Sequence, residues 1–145
     1  MSIYLEKNMP PPIFLDTLFV VGLVNRRDQY HRQAVALSEQ FEGFPFLTTD
    51  VVLLEIGNAL AKGYKQESIR IINEFLQSEE TEIIHLNPEL FQQAFKLYQT
   101  RHDKEWGFID CVSFVVMKEK GIQQALTFDK HFAQAGFRVL MREIP

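Results

Sequence analysis

The strongest constraint on this chain is its alternation of short apolar runs with longer helical stretches. Residues 13–15, 44–47, 82–86, 124–128 and 137–140 read as strands, short and rich in branched or aromatic side chains. Helical patterns lie between them. They cover residues 18–23, 28–41 with Asp28 as the candidate N-cap, a stretch capped by Thr48-Thr49-Asp50 and reaching about residue 62, and 66–77. A further helix begins at Asn87-Pro88, the next spans 108–119 before Gly121, and a last short one covers 130–135. Strands joined through helices pair in parallel rather than as hairpins, and a parallel sheet needs cover on both faces. The pattern therefore predicts an α/β fold, an α/β/α sandwich around a mainly parallel sheet of four to five strands. No repeat or linker divides it, so residues 1–145 read as one domain, with 1–12 an irregular lead-in ending in Met9-Pro10-Pro11-Pro12.

Composition narrows the class. Apolar residues make up 46% and charged residues 23%, the balance of a soluble globular protein. The lone Cys111 excludes an internal disulfide and a multi-cysteine zinc site, and it fits a reducing cytoplasm. No apolar run is long enough to span a bilayer, and the N-terminus lacks the order of a signal peptide. A cytoplasmic location is the expectation. The formal charge of −4 is not that of a nucleic-acid binder, although a carboxylate cluster built to hold cations adds negative charge of its own.

Chemistry is expected beyond the carboxyl ends of the strands, where open α/β sheets bind ligands. Asp16 directly follows the first strand and Asp129 the fourth. Glu55 lies in the second turn of the helix after the second strand, among Val51, Val52, Leu53, Leu54 and Ile56. Asp110 sits in the early turns of the apolar helix Phe108-Ile109-Asp110-Cys111-Val112-Ser113-Phe114. A carboxylate among apolar neighbours must neutralise, pair or hold a cation. Each of the four also has a plain structural explanation. Asp16 and Asp129 suit helix caps, and Glu55 and Asp110 suit internal ion pairs. Their common placement on one sheet edge favours a metal site, and oxygen ligands favour Mg²⁺ or Mn²⁺ over zinc.

The stretches Phe14-Leu15-Asp16-Thr17, Thr49-Asp50-Val51-Val52-Leu53-Leu54-Glu55, Trp106-Gly107-Phe108-Ile109-Asp110-Cys111 and Leu126-Thr127-Phe128-Asp129-Lys130-His131-Phe132 together resemble those of a PIN domain. The resemblance covers residues 12–140, and its short stand-alone form is similar to the VapC-type toxin ribonucleases. It implies a Mg²⁺- or Mn²⁺-dependent endoribonuclease with Asp16, Glu55, Asp110 and Asp129 as the acidic quartet. Thr127 matches the hydroxyl residue that stands two positions before the last acid. Asp103, seven residues before Asp110, is open between site, capping and surface roles. The resemblance further implies RNA as substrate, a homodimer, and an antitoxin whose tail enters the acidic cleft. Water attack would leave 5′-phosphate and 3′-hydroxyl ends.

Basic groups are needed around such a cleft. Arg26, Arg27, Lys62, Lys65, Arg101 and Lys104, with His102, are the candidates for contacts to RNA phosphates, each with a solvated-surface role as its alternative. Trp106 reads first as a packing residue and second as a base-stacking one. No His is placed as an obvious general base; His131, close in sequence to Asp129, reads first as a surface residue of the final helix and second as a site residue. Rival functions are a PIN-like module that binds RNA or protein without catalysis, and an RNA-processing nuclease outside a toxin–antitoxin pair. A phosphoacceptor receiver wants an acidic pair at the first strand, and a haloacid-dehalogenase-like phosphatase wants Asp-x-Asp there. Position 18 is Leu, which disfavours both.

Overall fold

The computed structural model describes residues 9–145. Residues 9–12 run into the first strand without regular structure, and the earlier part of the expected lead-in lies outside the described residues. The elements in chain order are β1 (Ile13–Leu15), α1 (Thr17–Val24), α2 (His31–Gln40), β2 (Phe46–Thr49), α3 (Asp50–Leu60), α4 (Lys65–Gln77) and β3 (Thr81–Ile84). They continue with α5 (Pro88–Thr100), α6 (Phe108–Glu119), β4 (Gln124–Leu126), α7 (Lys130–Gln134) and β5 (Arg138–Val139).

The strands form one sheet in the order β3-β2-β1-β4-β5, and every pairing is parallel. Right-handed crossovers then fix the layers. The chain moves one way from β1 to β2 to β3, so α1–α4 lie over one face. It next jumps back across β1 to β4 and on to β5, so α5–α7 lie over the other. The helix contacts agree, with α1 on α2 and α3, α3 on α4, and α6 on both α5 and α7. The expected sandwich is observed.

Side-chain alternation in β1 feeds both layers. Phe14 points to the α6–α7 side, where its ring lies 6.1 Å from Phe132, and Phe132 meets Phe114 edge-on at 5.0 Å. Ile13 and Leu15 supply the opposite face, and all three are buried. The strand order reverses between β1 and β4. That is the switch point at which the loops leaving two neighbouring strands part and open a crevice.

Several boundaries differ from the sequence expectation. β2 starts at Phe46 because Pro45 has no amide to give the ladder; its carbonyl instead accepts from Ile13 N. β4 ends at Leu126; beyond it the Thr127 carbonyl still accepts from Met141 N at 3.1 Å, while Thr127 Oγ1 accepts from Asp129 N at 3.1 Å and turns the chain toward α7. α2 begins at His31, not Asp28; Asp28 Oδ1 accepts from Tyr30 N at 2.8 Å and forms a turn ahead of the helix.

Candidate active site

Asp16 is placed by the end of β1. It occupies the N-cap position of α1, but its side chain makes no capping hydrogen bond there. Instead Oδ2 accepts from Thr127 Oγ1 at 2.8 Å, across the β1–β4 switch point. Thr127 is fully buried and shares its hydroxyl between Asp16 and the Asp129 amide, so one side chain ties two acids together.

Asp129 does cap its helix, with Oδ1 accepting from His131 N at 2.9 Å. Asp110, in the first turn of α6, reaches back with Oδ2 to Gly107 N at 3.2 Å. The capping roles open for Asp129 in the sequence are thus real, and Asp110 gains one too. The capping oxygens are also the ones that face the His131 ring, Oδ2 of Asp110 and Oδ1 of Asp129. Glu55 is brought to the same edge by α3, whose start is fixed by Thr49 Oγ1 accepting from Val52 N at 3.1 Å. Its Oε1 accepts from Thr17 Oγ1 at 2.7 Å.

Electrostatics link the four acids. Burial pushes the Asp16 carboxyl up to about 7, and the charges of Glu55 and Asp129 add to the rise; hydrogen bonds from Thr127 and from the backbone of Thr17 oppose it. Burial also raises Glu55, with a contribution from the charge of Asp110, against the hydrogen bond from Thr17. This is the expected cost of gathering carboxylates in a partly dry crevice without a cation. The neighbouring Cys111 thiol is pushed up to about 11, by burial first and by Asp110 second, and it is no nucleophile at neutral pH.

Two residues join the cluster outside the acidic quartet: Thr17, to which the sequence assigned no role, and His131, which read first as a surface residue. Thr17 orients Glu55. His131 is not a free surface residue: Nδ1 lies 3.1 Å from Asp110 Oδ2 and 3.5 Å from Asp129 Oδ1. One ligand atom each from Asp110, Asp129 and His131 fall within 4.8 Å of one another. The available signal was position, since a residue two after a capping Asp lies beside that carboxylate.

Other candidates sit apart. Asp103 is exposed and held by Arg101, whose Nε and Nη2 donate to its two oxygens at 3.0 and 3.2 Å. The Arg101 guanidinium also lies over the Trp106 ring, 4.6 Å from its centroid. Trp106 itself is 6% exposed, donates to Gln134 Oε1 at 3.1 Å and packs edge-on against Phe114. It is a packing residue. Arg26 and Arg27 follow the far end of α1, about 12 Å along a helix that starts at the acidic edge. Lys62 and Lys65 follow the far end of α3 in the same way. The structure brings none of these four to the acids, because both helices run away from the switch point.

A family model of the PIN domain matches residues 13–138. The chain belongs to the PIN-domain family. Within it, the chain is 33% identical over 126 residues to the 23S rRNA-specific endonuclease VapC20 of Mycobacterium tuberculosis, covering 86% of this chain and 95% of that protein. A VapC ribonuclease of Aquifex aeolicus is 27% identical over 134 residues, covering 87% and 93%. In three dimensions this PIN domain superposes on the crystal structure of M. tuberculosis VapC20, a sarcin–ricin loop cleaving toxin. The TM-score is 0.79 at 30% identity, covering 90% of this chain and 99% of that one. It shares the fold of FitAcB from Neisseria gonorrhoeae, with TM-score 0.62 at 17% identity over 89% and 96% of the two chains.

Proposed function

We propose that this PIN domain is a Mg²⁺- or Mn²⁺-dependent endoribonuclease and the toxin of a toxin–antitoxin pair. The observation that carries the reading is the meeting of Asp16, Glu55, Asp110 and Asp129 at the β1–β4 switch point, with Asp16 raised to about 7. Carboxylate oxygens suit hard divalent cations, and a cation removes the repulsion that burial imposes on these acids. The four acids would hold it. When bound, it supplies an activated water at neutral pH and offsets charge on the phosphate.

The chain's own part is positional. Thr127 and Thr17 hold the Asp16 and Glu55 carboxylates from behind, and the cap to His131 N fixes Asp129. Water, not the 2′-hydroxyl, is the nucleophile, so the products carry 5′-phosphate and 3′-hydroxyl ends. Lys104, in the loop before α6, would guide the RNA strand by its phosphates, with Arg101 joining it on release from Asp103. The similarity to VapC20 makes a ribosomal stem-loop of the sarcin–ricin type the first RNA to test.

Two partners follow. The exposed face of α5 carries Phe91, Phe95 and Tyr98, which pack around Phe108 at ring distances of 5.1, 5.5 and 5.4 Å. An aromatic face of this kind on a soluble protein marks an association surface, and we assign it to a homodimer. An antitoxin would present a basic side chain to the acidic edge. No helix among the described residues is long and apolar enough to cross a membrane.

The test is incubation of the purified protein with a sarcin–ricin stem-loop and with a mixed RNA pool, under Mg²⁺, Mn²⁺ and EDTA, followed by end-group analysis. Metal-dependent cuts bearing 5′-phosphates are expected. Cuts that persist in EDTA, or that leave 2′,3′-cyclic phosphates, would sink the mechanism.

A further inference from the structure

We propose that His131 is a nitrogen ligand of the cation held at the acidic edge, and that it biases the site toward a first-row transition-metal ion over Mg²⁺. The inference rests on the metal-dependent reading above and adds a ligand to it.

The geometry is specific. Nδ1 of His131 donates a hydrogen bond to Asp110 Oδ2 at 3.1 Å and stands 3.5 Å from Asp129 Oδ1, and one potential ligand atom from each of the three residues lies within 4.8 Å of the others. Adjacent donors on an octahedral ion with bonds of about 2.1 Å lie about 3 Å apart, so a cation that displaces the Nδ1 proton to solvent would find these atoms at close to ligand spacing.

The ring is also held in place. Its side chain is 22% exposed, its backbone amide is the one that Asp129 caps, and the next residue, Phe132, anchors α7 in the core between Phe14 and Phe114. A surface histidine would have no such constraint. His31 and His85 are committed elsewhere, to Gly22 O and to Asp50 Oδ2.

The donor set then decides the metal. Mg²⁺ favours oxygen ligands and retains its waters, whereas imidazole nitrogen favours transition-metal ions in the order of their intrinsic affinities. Three or four carboxylates alone leave Mg²⁺ and Mn²⁺ nearly equivalent; one added nitrogen does not.

The experiment uses MnCl₂ as the probe on the full-length protein, without RNA. Pulsed EPR of the bound Mn²⁺ reads directly coordinated ¹⁴N, and competition titrations give the affinities for Mn²⁺ and Mg²⁺. Wild-type protein should show a directly coordinated nitrogen. His131→Gln should lose that signal and bind Mn²⁺ about tenfold more weakly, with Mg²⁺ affinity changed by less than about threefold. Bound Mn²⁺ without direct ¹⁴N coupling overturns the proposal and leaves the metal-dependent nuclease standing, as does a coupling that survives in His131→Gln. Failure of the wild type to bind Mn²⁺ at all overturns both. The wild-type spectrum alone decides whether a nitrogen ligates, so the test stands even if the variant folds poorly.

Discussion

The carboxyl of Asp16 is buried and shares its crevice with Glu55 and Asp129, so its proton is held to about pH 7 despite the opposing hydrogen bond from Thr127. The sign of the linkage follows. Between the ordinary carboxylate value of 3.8 and about 7 the native state binds the proton that the unfolded chain releases. Stability from this group is full below about pH 4 and is lost as pH rises through about 7. Metal-free protein should therefore show a falling midpoint in thermal unfolding from pH 4.5 to 7.5, and Mn²⁺ should stabilise it more at the upper end. Asp16→Asn should flatten that slope, raise the metal-free midpoint at pH 7.5 and abolish cleavage. An unchanged slope in the variant would mean that another group carries the pH dependence.

Thr127 makes a second prediction at the same scale. Thr127→Val keeps the shape but removes the donor to Asp16 and the acceptor for Asp129 N. A loss of about 10- to 100-fold in cleavage rate is expected, from misplaced ligands, with about 1–3 kcal/mol of stability from the unsatisfied amide. Rate and denaturant unfolding measured on one preparation would separate the two.

At the scale of elements, every strand and helix was legible in the sequence because each apolar run and its cap are local signals. Asn87 Oδ1 accepting from Leu90 N at 2.8 Å, with Pro88 in the first turn, was readable from the two residue types alone. The ends were less legible. The start of β2 was in fact signalled by Pro45, which has no amide for the ladder, whereas the end of β4 rests on pairing with the distant β5, a tertiary fact. The convergence of the four acids on one edge was legible because strand ends and helix starts are visible in sequence: Asp16 and Asp129 follow strands, and Glu55 and Asp110 sit in early helical turns. The contacts of His131 and Thr17 were not, because they pair with residues 21 and 38 positions away. The spread of the basic candidates was invisible for the same reason, since direction along a helix matters only once its start is placed at the site.

The short α7 tests how much packing holds the edge together. It has only 5 residues, too few to persist alone, and Phe132 is its anchor in the core. Phe132→Ala should cost about 3–5 kcal/mol, seen as a lower urea midpoint with an unchanged slope. A cost under 1 kcal/mol would show that α7 is held by its cap instead. Phe95→Glu on α5 should convert a dimer to monomers in sedimentation without disturbing the fold. A monomeric wild type, or a variant that remains dimeric, would remove α5 as the dimer face.

At the scale of the molecule, the fold performs one spatial operation. A sheet that grows first to one side of β1 and then to the other leaves a crevice at the β1–β4 boundary. Asp16 follows β1 directly and Asp129 lies three residues past β4, while α3 and α6 carry Glu55 and Asp110 to the same edge. With a net charge of −4, the overall field does not draw in RNA; under the proposed function, attraction would come from a cation held by the four acids and from a few local basic groups. The most direct test compares wild type with Asp110→Asn under single-turnover conditions, on the same RNA and at saturating Mn²⁺. Metal-dependent cleavage by the wild type is expected, with a loss of at least about 100-fold in the variant, of the size seen when a group that stabilises the transition state is removed, and far-UV circular dichroism unchanged. Equal cleavage by a folded Asp110→Asn protein would contradict the claim that these carboxylates are the active site.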